Sequence, residues 1–222
     1  MLIFATLATT LSTTNILFVG NSHTVNNDVP GLVRNLLVSD GTPRTVRTDT
    51  MTTASLNDGA QNGAIVDAIK SKKYQIVVLQ GASISSSHKY KYEQGGGIAL
   101  AKLAVKAGAR TLLYAEWPRR GWDESAYIMQ HYELISQPSG AEIVSIPYVA
   151  DRAIGLNMNI WMGDGNHANL LGSYLAACTL YFWIAKPVNV GPDWRPKGLK
   201  AEDANSVRGF ACDRYRIEFG IK

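Results

Sequence analysis

Short runs of consecutive apolar residues recur along the chain, separated by stretches with helical periodicity. The five runs are Ile16–Val19, Thr45–Thr48, Ile76–Leu79, Thr111–Tyr114 and Glu142–Ile146. Continuous apolar runs of this length are typical of parallel strands, which are buried on both faces of a sheet. The second run alternates with polar residues and is the weakest. The pattern predicts five strands.

The stretches that separate these runs carry apolar residues at every third or fourth position, as helices that cover a sheet do. The predicted helices are Val29–Val38, Ala60–Lys70, Gly97–Ala107, Glu124–Ile135, Asn169–Ala185 and Ala201–Tyr215. Alternating strands and helices predict a doubly wound α/β sheet with right-handed crossovers. In such a sheet, functional residues lie at the carboxyl ends of the strands.

Composition narrows the function classes. A length of 222 residues suits one domain, and two cysteines cannot make a disulfide scaffold or a four-thiolate metal site. The net charge of +4 is too small to indicate a nucleic-acid partner. The longest apolar stretch, residues 2–11, falls short of a membrane span of about 18 residues, so no stable membrane insertion is expected.

The amino-terminal residues and the two cysteines leave alternatives open. Residues 1–14 are interpreted as a leader or the remnant of a signal peptide, and residues 15–222 as a single domain. A signal peptide would place the protein in the periplasm or outside the cell, and an ordinary leader would leave it in the cytoplasm. Cys178 and Cys212 can pair only if their two predicted helices pack together.

Ser22 follows the first predicted strand, within the sequence Gly20-Asn21-Ser22-His23-Thr24. A serine at such a strand-to-helix turn can expose its hydroxyl above the sheet, and its own N–H can face an oxyanion. The alternative is helix capping, which the same residue types favour.

Asp164 and His167 lie in a glycine-rich loop before the most apolar predicted helix. An aspartate that accepts from one ring nitrogen of a histidine fixes its tautomer, and the other nitrogen is then free to act as a base. The alternative is a turn with a surface histidine. Since both segments are expected at the same edge of the sheet, they can meet although about 140 positions separate them.

These two blocks together resemble the SGNH (GDSL-like) hydrolase superfamily, and most of all a branch whose first block has the sequence Gly-Asn-Ser-x-Thr. The resemblance extends from about Asn15 to the last helix. It implies a three-layer α/β/α sandwich with a flavodoxin-like, five-stranded parallel sheet. It also implies a serine esterase without metal or cofactor, in which Ser22 is the nucleophile, His167 the general base and then acid, and Asp164 the residue that orients His167.

The family's oxyanion hole combines the serine N–H, a backbone N–H from a second block and an Asn side chain from a third. Carried over by position, the second donor is Ala54, with Gly59 and Gly63 as rivals. The third block has the sequence Gln80-Gly81-Ala82-Ser83, similar to the Gln-Gly-Glu-Ser of sialate and xylan O-acetylesterases. Gln80 or Ser83 is therefore expected to supply the third donor.

Residues after the fourth predicted strand suggest the substrate. Trp117 and Trp122 flank Arg119 and Arg120, and this set can stack on sugar rings and pair with acidic groups. The alternative is that the tryptophans pack on the domain and the arginines are solvated. His23, beside Ser22, is expected to line the pocket.

The sequence therefore predicts hydrolysis of short acyl esters, above all O-acetyl groups on carbohydrate. The expected partner is an acylated carbohydrate or another small ester. Two alternatives remain open: a lipolytic or thioester-cleaving enzyme of the same fold, and a carbohydrate-binding relative without catalysis.

Overall fold

A computed structural model describes residues 12–221, which form a five-stranded, all-parallel sheet. The strands are β1 (Ser12–Gly20), β2 (Arg44–Thr52), β3 (Ile76–Leu79), β4 (Arg110–Tyr114) and β5 (Glu142–Val144). Their order is β2-β1-β3-β4-β5, the flavodoxin-like order of doubly wound sheets. The predicted fold class is confirmed.

Burial explains why the strands have different sequences. All four residues of β3 are buried, and so are the last five of β1, which pairs with both β2 and β3. These central segments are apolar on both faces. β2 lies at the edge, and of its nine residues only Val46 is buried, so it tolerates threonine, arginine and aspartate.

Helices cover both faces of the sheet. They are α1 (Ser22–Val25), α2 (Val29–Ser39), α3 (Leu56–Gln61), α4 (Gly63–Lys70), α5 (Gly95–Lys106), α6 (Ser125–Ser139), α7 (Ile146–Gly155), α8 (Leu170–Ala185) and α9 (Ala201–Phe219). On β1, Ile16 and Phe18 belong to an apolar core shared with α2, α7, α8 and α9. Leu17 and Val19 belong to a second core shared with α3 to α6. Two cores on opposite faces make the predicted three-layer sandwich.

Several element boundaries differ from the prediction. β5 ends at Val144, and a short unpredicted helix, α7, begins at Ile146. Pro147 lies in its first turn, where proline fits, whereas proline cannot donate to a strand ladder. The predicted helix over residues 60–70 is two helices, because Asn62 is extended and its side chain caps α4 by accepting from the Ala64 N–H.

The amino-terminal boundary also differs. β1 begins at Ser12, where it pairs with Arg44 of β2, so residues 12–14 are paired in the sheet. Backbone pairing with the edge strand extends β1 beyond its apolar run. Residues 1–11, on which the interpretation as a leader now depends, lie outside the described part of the chain.

Cys178 on α8 and Cys212 on α9 are both buried and free, so the alternative of a disulfide between them is wrong. Within residues 12–221, no helix has both the length and the hydrophobicity to cross a membrane.

Candidate active site

Ser22 lies at the carboxyl end of the interior strand β1, on a turn where the backbone of Gly20 is closely surrounded. Gly20 ends the strand, and a Cβ there would lie 2.2 Å from Thr24 Oγ1 and 2.8 Å from Gln80 Oε1. Asn21 then caps α1 by accepting the His23 N–H at 2.9 Å. Ser22 is thus the first residue of a helix, where backbone N–H groups lack intrahelical acceptors.

The structure brings Ser22, His167 and Asp164 together in one chain of hydrogen bonds. Ser22 Oγ lies 2.9 Å from His167 Nε2, and His167 Nδ1 lies 2.5 Å from Asp164 Oδ2. Asp164 Oδ1 also accepts the backbone N–H groups of Asn166 at 2.9 Å and His167 at 3.0 Å. The tight loop predicted between aspartate and histidine is therefore held by the aspartate itself.

These contacts fix the protonation of the pair. The hydrogen bond from His167, followed by that from the Asn166 N–H, lowers the pKa of Asp164 to about 2. An ionised carboxylate only accepts hydrogen bonds, so His167 Nδ1 carries the proton and donates it to Asp164. His167 Nε2 is then the acceptor for the Ser22 hydroxyl, which is the arrangement that a general base requires.

The predicted oxyanion donors have different surroundings. Ala54 lies in the exposed turn after β2, and Asn21 Nδ2 lies 3.5 Å from its carbonyl oxygen. Ser83 Oγ donates to Asn166 Oδ1 at 2.9 Å, and Arg119 Nη2 approaches the same hydroxyl at 3.5 Å. Ala54 and Ser83 thus contact the Ser22 turn and the His167 loop, respectively.

Gln80 does not have the surroundings of an oxyanion donor. Its side chain is buried, and its oxygen accepts from the Asn21 N–H at 3.0 Å and from Thr24 Oγ1 at 3.1 Å. Its amide nitrogen donates to the Gly81 carbonyl. The amide therefore holds the Ser22 turn in place, and the expectation that it faces the substrate is corrected.

Trp117 and His23 are packed inside the domain and do not form an open sugar platform. Both are 3% exposed, and their rings stack with centroids 5.1 Å apart and planes 4° apart. Burial, followed by the nearby His167, lowers the pKa of His23 to about 4, so this ring is neutral at pH 7. The expectation that Trp117 and His23 contact substrate is therefore corrected, since the alternative of packed aromatic rings matches their burial.

Trp117 instead supports the loop that carries His167. Its indole N–H donates to the Asn166 carbonyl at 2.8 Å, and Asn166 directly precedes His167. The His23 ring, stacked on Trp117, lies 5.0 Å from the His167 ring. The two aromatic side chains thus form a wall behind His167.

Replacing Trp117 with phenylalanine keeps the stacked ring and removes the indole N–H. We expect kcat for an ester substrate to fall about tenfold, because the loss of a buried hydrogen bond worth about 1 kcal/mol loosens the His167 loop. Trp194→Phe is the control, since that indole packs on Tyr174 of α8, away from the site. Steady-state kinetics check this, and equal kcat values for the two variants would contradict it.

Arg119 and Trp122 lie beside Asp164. With Arg120, Gly163, Asp164 and Asn166 they line a cleft of about 310 Å³. Trp122 is 49% exposed. Arg120 has another role: its backbone N–H donates to the Gly165 carbonyl at 2.8 Å and its guanidinium to the Met162 carbonyl at 2.8 Å. Arg120 therefore holds the loop that carries Asp164.

Sequence reasoning missed several residues that shape the site. Asn27, in a left-handed conformation with φ of 56°, donates to the Ala168 carbonyl at 3.1 Å and so joins the segment after α1 to the His167 loop. Glu124 is buried and accepts from Ser86 N at 2.9 Å and from Arg119 N at 2.9 Å. The sequence carried no distinct signal for either residue, because their partners Ala168 and Ser86 come from distant segments of the chain.

A second cavity opens beside the third-block residues. It has a volume of about 340 Å³ and is lined by residues that include Leu56, Gly81, Ala82, Ile84, Tyr132 and Ile135. Asn21 Nδ2 donates to the Gly81 carbonyl at 2.9 Å, so this cavity adjoins the turn that carries Ser22. Within the described residues, no group of three or more His, Cys, Asp or Glu side chains is arranged to hold a metal ion.

Comparison with known proteins finds likeness at the level of structure. No family model matches the sequence, and no curated protein matches it. A candidate SGNH hydrolase from Slackia heliotrinireducens is 24% identical with a TM-score of 0.61, over 77% of this chain and 98% of that one. A DUF4886 family protein from Bacteroides uniformis is 17% identical with a TM-score of 0.67, over 95% and 97%.

A variant of Axe2, an acetyl xylan esterase from Geobacillus stearothermophilus, is 10% identical with a TM-score of 0.58, over 78% of this chain and 95% of that one. The TM-scores demonstrate a shared fold, and at identities this low they demonstrate the fold alone. The chain therefore has the fold of the SGNH hydrolases, as its first and last blocks predicted.

Proposed function

We propose that this protein is a serine hydrolase of carboxylic esters. The observation that carries the proposal is the hydrogen-bonded chain from Ser22 through His167 to Asp164, at 2.9 Å and 2.5 Å. A serine hydroxyl gains nucleophilicity from a neutral imidazole that accepts its proton. An ionised aspartate on the far nitrogen stabilises the imidazolium that forms.

The reaction begins when Ser22 Oγ attacks the ester carbonyl carbon and transfers its proton to His167 Nε2. The tetrahedral intermediate collapses, the C–O bond to the alcohol breaks, and the alcohol leaves with the proton from His167. Water then attacks the acyl-Ser22 ester, giving its proton to His167, and the acid is released as Ser22 regains the proton. Asp164 stays ionised throughout, because its pKa of about 2 lies far below neutrality.

The oxyanion of the intermediate needs donors near Ser22. The Ser22 N–H at the start of α1 and the Ala54 N–H in the turn after β2 are the proposed backbone donors. The Ser83 hydroxyl is the proposed third donor, because the Gln80 amide is occupied in holding the Ser22 turn. The Ser83 O–H can turn away from Asn166 by rotation about the Cβ–Oγ bond.

We assign short acyl groups, chiefly O-acetyl on carbohydrate, as the substrate class. The third block is similar to that of sialate and xylan O-acetylesterases, and one protein of the same fold is an acetyl xylan esterase. In the cleft beside Asp164, the half-exposed Trp122 ring offers a surface on which a sugar can stack. Arg119 lines the same cleft, so its guanidinium is a candidate partner for an acidic sugar.

A lipolytic or thioester-cleaving activity is the second candidate. The cavity of about 340 Å³ beside Gly81 has three aliphatic side chains, those of Leu56, Ile84 and Ile135, in its wall. It is much larger than an acetyl group requires, so it can hold a longer acyl chain.

Substrate profiling separates these candidates. We expect kcat/KM to be highest for p-nitrophenyl acetate and to fall through the butyrate, octanoate and palmitate esters. Acetate should also be released from acetylated polysaccharides, and Ser22→Ala should release none. A maximum at octanoate or palmitate would favour the second candidate. Carbohydrate binding without any turnover would favour a non-catalytic relative.

A further inference from the structure

Glu116 is a fully buried carboxylate that lies two residues beyond the end of β4. Its Oε1 accepts the Ile84 N–H at 2.6 Å, and its Oε2 accepts the Tyr132 hydroxyl at 2.9 Å. Burying a carboxylate is costly unless donors surround it, so a buried glutamate with such partners has a specific task.

Tyr132 links Glu116 to Gly81, three residues before Ile84. Its hydroxyl accepts the Gly81 N–H at 3.0 Å while it donates to Glu116. One carboxylate therefore holds both ends of the segment Gly81–Ile84, directly at Ile84 and through Tyr132 at Gly81. This segment is called the third-block segment below.

The third-block segment contacts both halves of the candidate triad. The Gly81 carbonyl accepts from Asn21 Nδ2 at 2.9 Å, and Asn21 precedes Ser22. Ser83 Oγ donates to Asn166 Oδ1 at 2.9 Å, and Asn166 precedes His167. Any shift of the segment therefore moves the surroundings of both reacting side chains.

We infer that Glu116, acting through Tyr132, is a positioning residue that fixes the third-block segment against Ser22 and His167. The inference rests on the proposed ester hydrolysis for its kinetic consequence. It gives Glu116 no contact with the substrate.

The charge state of Glu116 follows from its partners. Both oxygens accept hydrogen bonds, which favours the ionised form, whereas burial favours the neutral form and raises the pKa of Glu116 to about 7. Tyr132, Tyr114, Tyr92 and Glu124 are the other titratable groups that act on it. As the pH falls below 7, Glu116 gains a proton, its oxygens accept less strongly from the Ile84 N–H and the Tyr132 hydroxyl, and the third-block segment is held less firmly.

Lower pH weakens the hold of Glu116 on the third-block segment, but it increases the contribution of Glu116 to the stability of the fold. A carboxyl whose pKa rises from 4.5 to about 7 on folding favours the folded state most at low pH, and this contribution is lost as the pH rises from about 4.5 to 7. The melting temperature of the wild type relative to Glu116→Gln should therefore fall across that range.

The test uses Glu116→Gln, Tyr132→Phe, the double variant and Thr111→Val. Thr111 is also buried on β4, but its hydroxyl binds the Ala109 carbonyl, behind the strand's carboxyl end. We expect each single variant at positions 116 and 132 to lower kcat about 10–100-fold with little change in KM. The double variant should lower kcat no more than the more damaging single variant does, because both residues belong to one chain of contacts. Thr111→Val should keep the wild-type kcat.

Two further measurements separate positioning from general stability and from the proposed function. Amide hydrogen exchange over residues 81–86, which needs no turnover, should become about tenfold faster in Glu116→Gln and Tyr132→Phe but not in Thr111→Val. The pH profile of kcat should lose one ionisation near pH 7 in Glu116→Gln. Unchanged exchange in both variants would overturn the inference. An inactive wild type with the expected exchange would instead overturn the proposed function alone.

Discussion

Replacing Ser22 with alanine is expected to lower kcat for p-nitrophenyl acetate by about 10⁴-fold or more. In the proposed mechanism the hydroxyl supplies the attacking oxygen, and neither His167 nor Asp164 can replace it. The fold should be unaffected, because in the described chain the only hydrogen bond of this hydroxyl is the one to His167 Nε2, worth about 1 kcal/mol at most. Steady-state kinetics together with thermal melting measure both effects.

Ser206→Ala is the matched control for this experiment. Ser206 lies on α9, is half-buried like Ser22, and donates to the Glu202 carbonyl at 2.9 Å, so its replacement removes a similar hydrogen bond far from the candidate triad. The control should keep full activity. Wild-type turnover by Ser22→Ala would show that another residue is the nucleophile.

Replacing Asp164 with asparagine is the second large change, and it acts through the tautomer of His167. The asparagine oxygen can still accept the backbone N–H groups of Asn166 and His167 that Asp164 Oδ1 accepts now. Its NH₂ group then faces His167 Nδ1, which must accept, so the ring proton moves to Nε2. That nitrogen can no longer take the proton of Ser22, and kcat is expected to fall about 10³–10⁴-fold.

The substitution should have a second effect at low pH. The pKa of Asp164 is lowered from 3.8 to about 2 on folding, so its carboxylate stabilises the fold above pH 3.8, and this contribution is lost as the pH falls toward 2. Asp164→Asn should therefore lose part of this acid-dependent change in melting temperature. Asp213→Asn, which breaks an exposed ion pair with Arg152, is the control and should keep its kcat. An Asp164→Asn variant with wild-type kcat would contradict the proposed role of the aspartate.

The sequence contained enough information to predict the sheet and to pair the two blocks. Continuous burial gave β1, β3 and β4 unbroken apolar runs, and the topology of a parallel sheet brings residues after such runs to one edge. Ser22 and His167 could therefore be placed together across 145 positions. The α7 helix was not predicted, because β5 has only three residues and the apolar pattern continues from β5 into α7.

The surroundings of the triad could not be predicted, because they depend on side-chain directions in packed segments. Gln80 follows β3 as expected, but its amide points back to Asn21 and Thr24. Trp117 follows β4 as expected, but its ring is buried against His23. Residue type and position at a strand end do not distinguish a side chain that faces the cleft from one that supports it.

The role of Glu116 could not be predicted from the sequence either. Its neighbours Trp117 and Arg119 have familiar binding chemistry and drew attention to this loop, whereas a single glutamate after a strand has no such signal. Its partners Ile84 and Tyr132 come from two other segments of the chain. Only the folded structure brings them together.

Covalent labelling of Ser22 tests the central claim most directly. A fluorophosphonate reacts with a serine activated by a neutral histidine, and mass spectrometry of the digested protein locates the adduct. The account predicts one stoichiometric adduct on Ser22, none in Ser22→Ala, and strongly slowed labelling in Asp164→Asn. An unlabelled wild type, or an adduct on another serine, would contradict it.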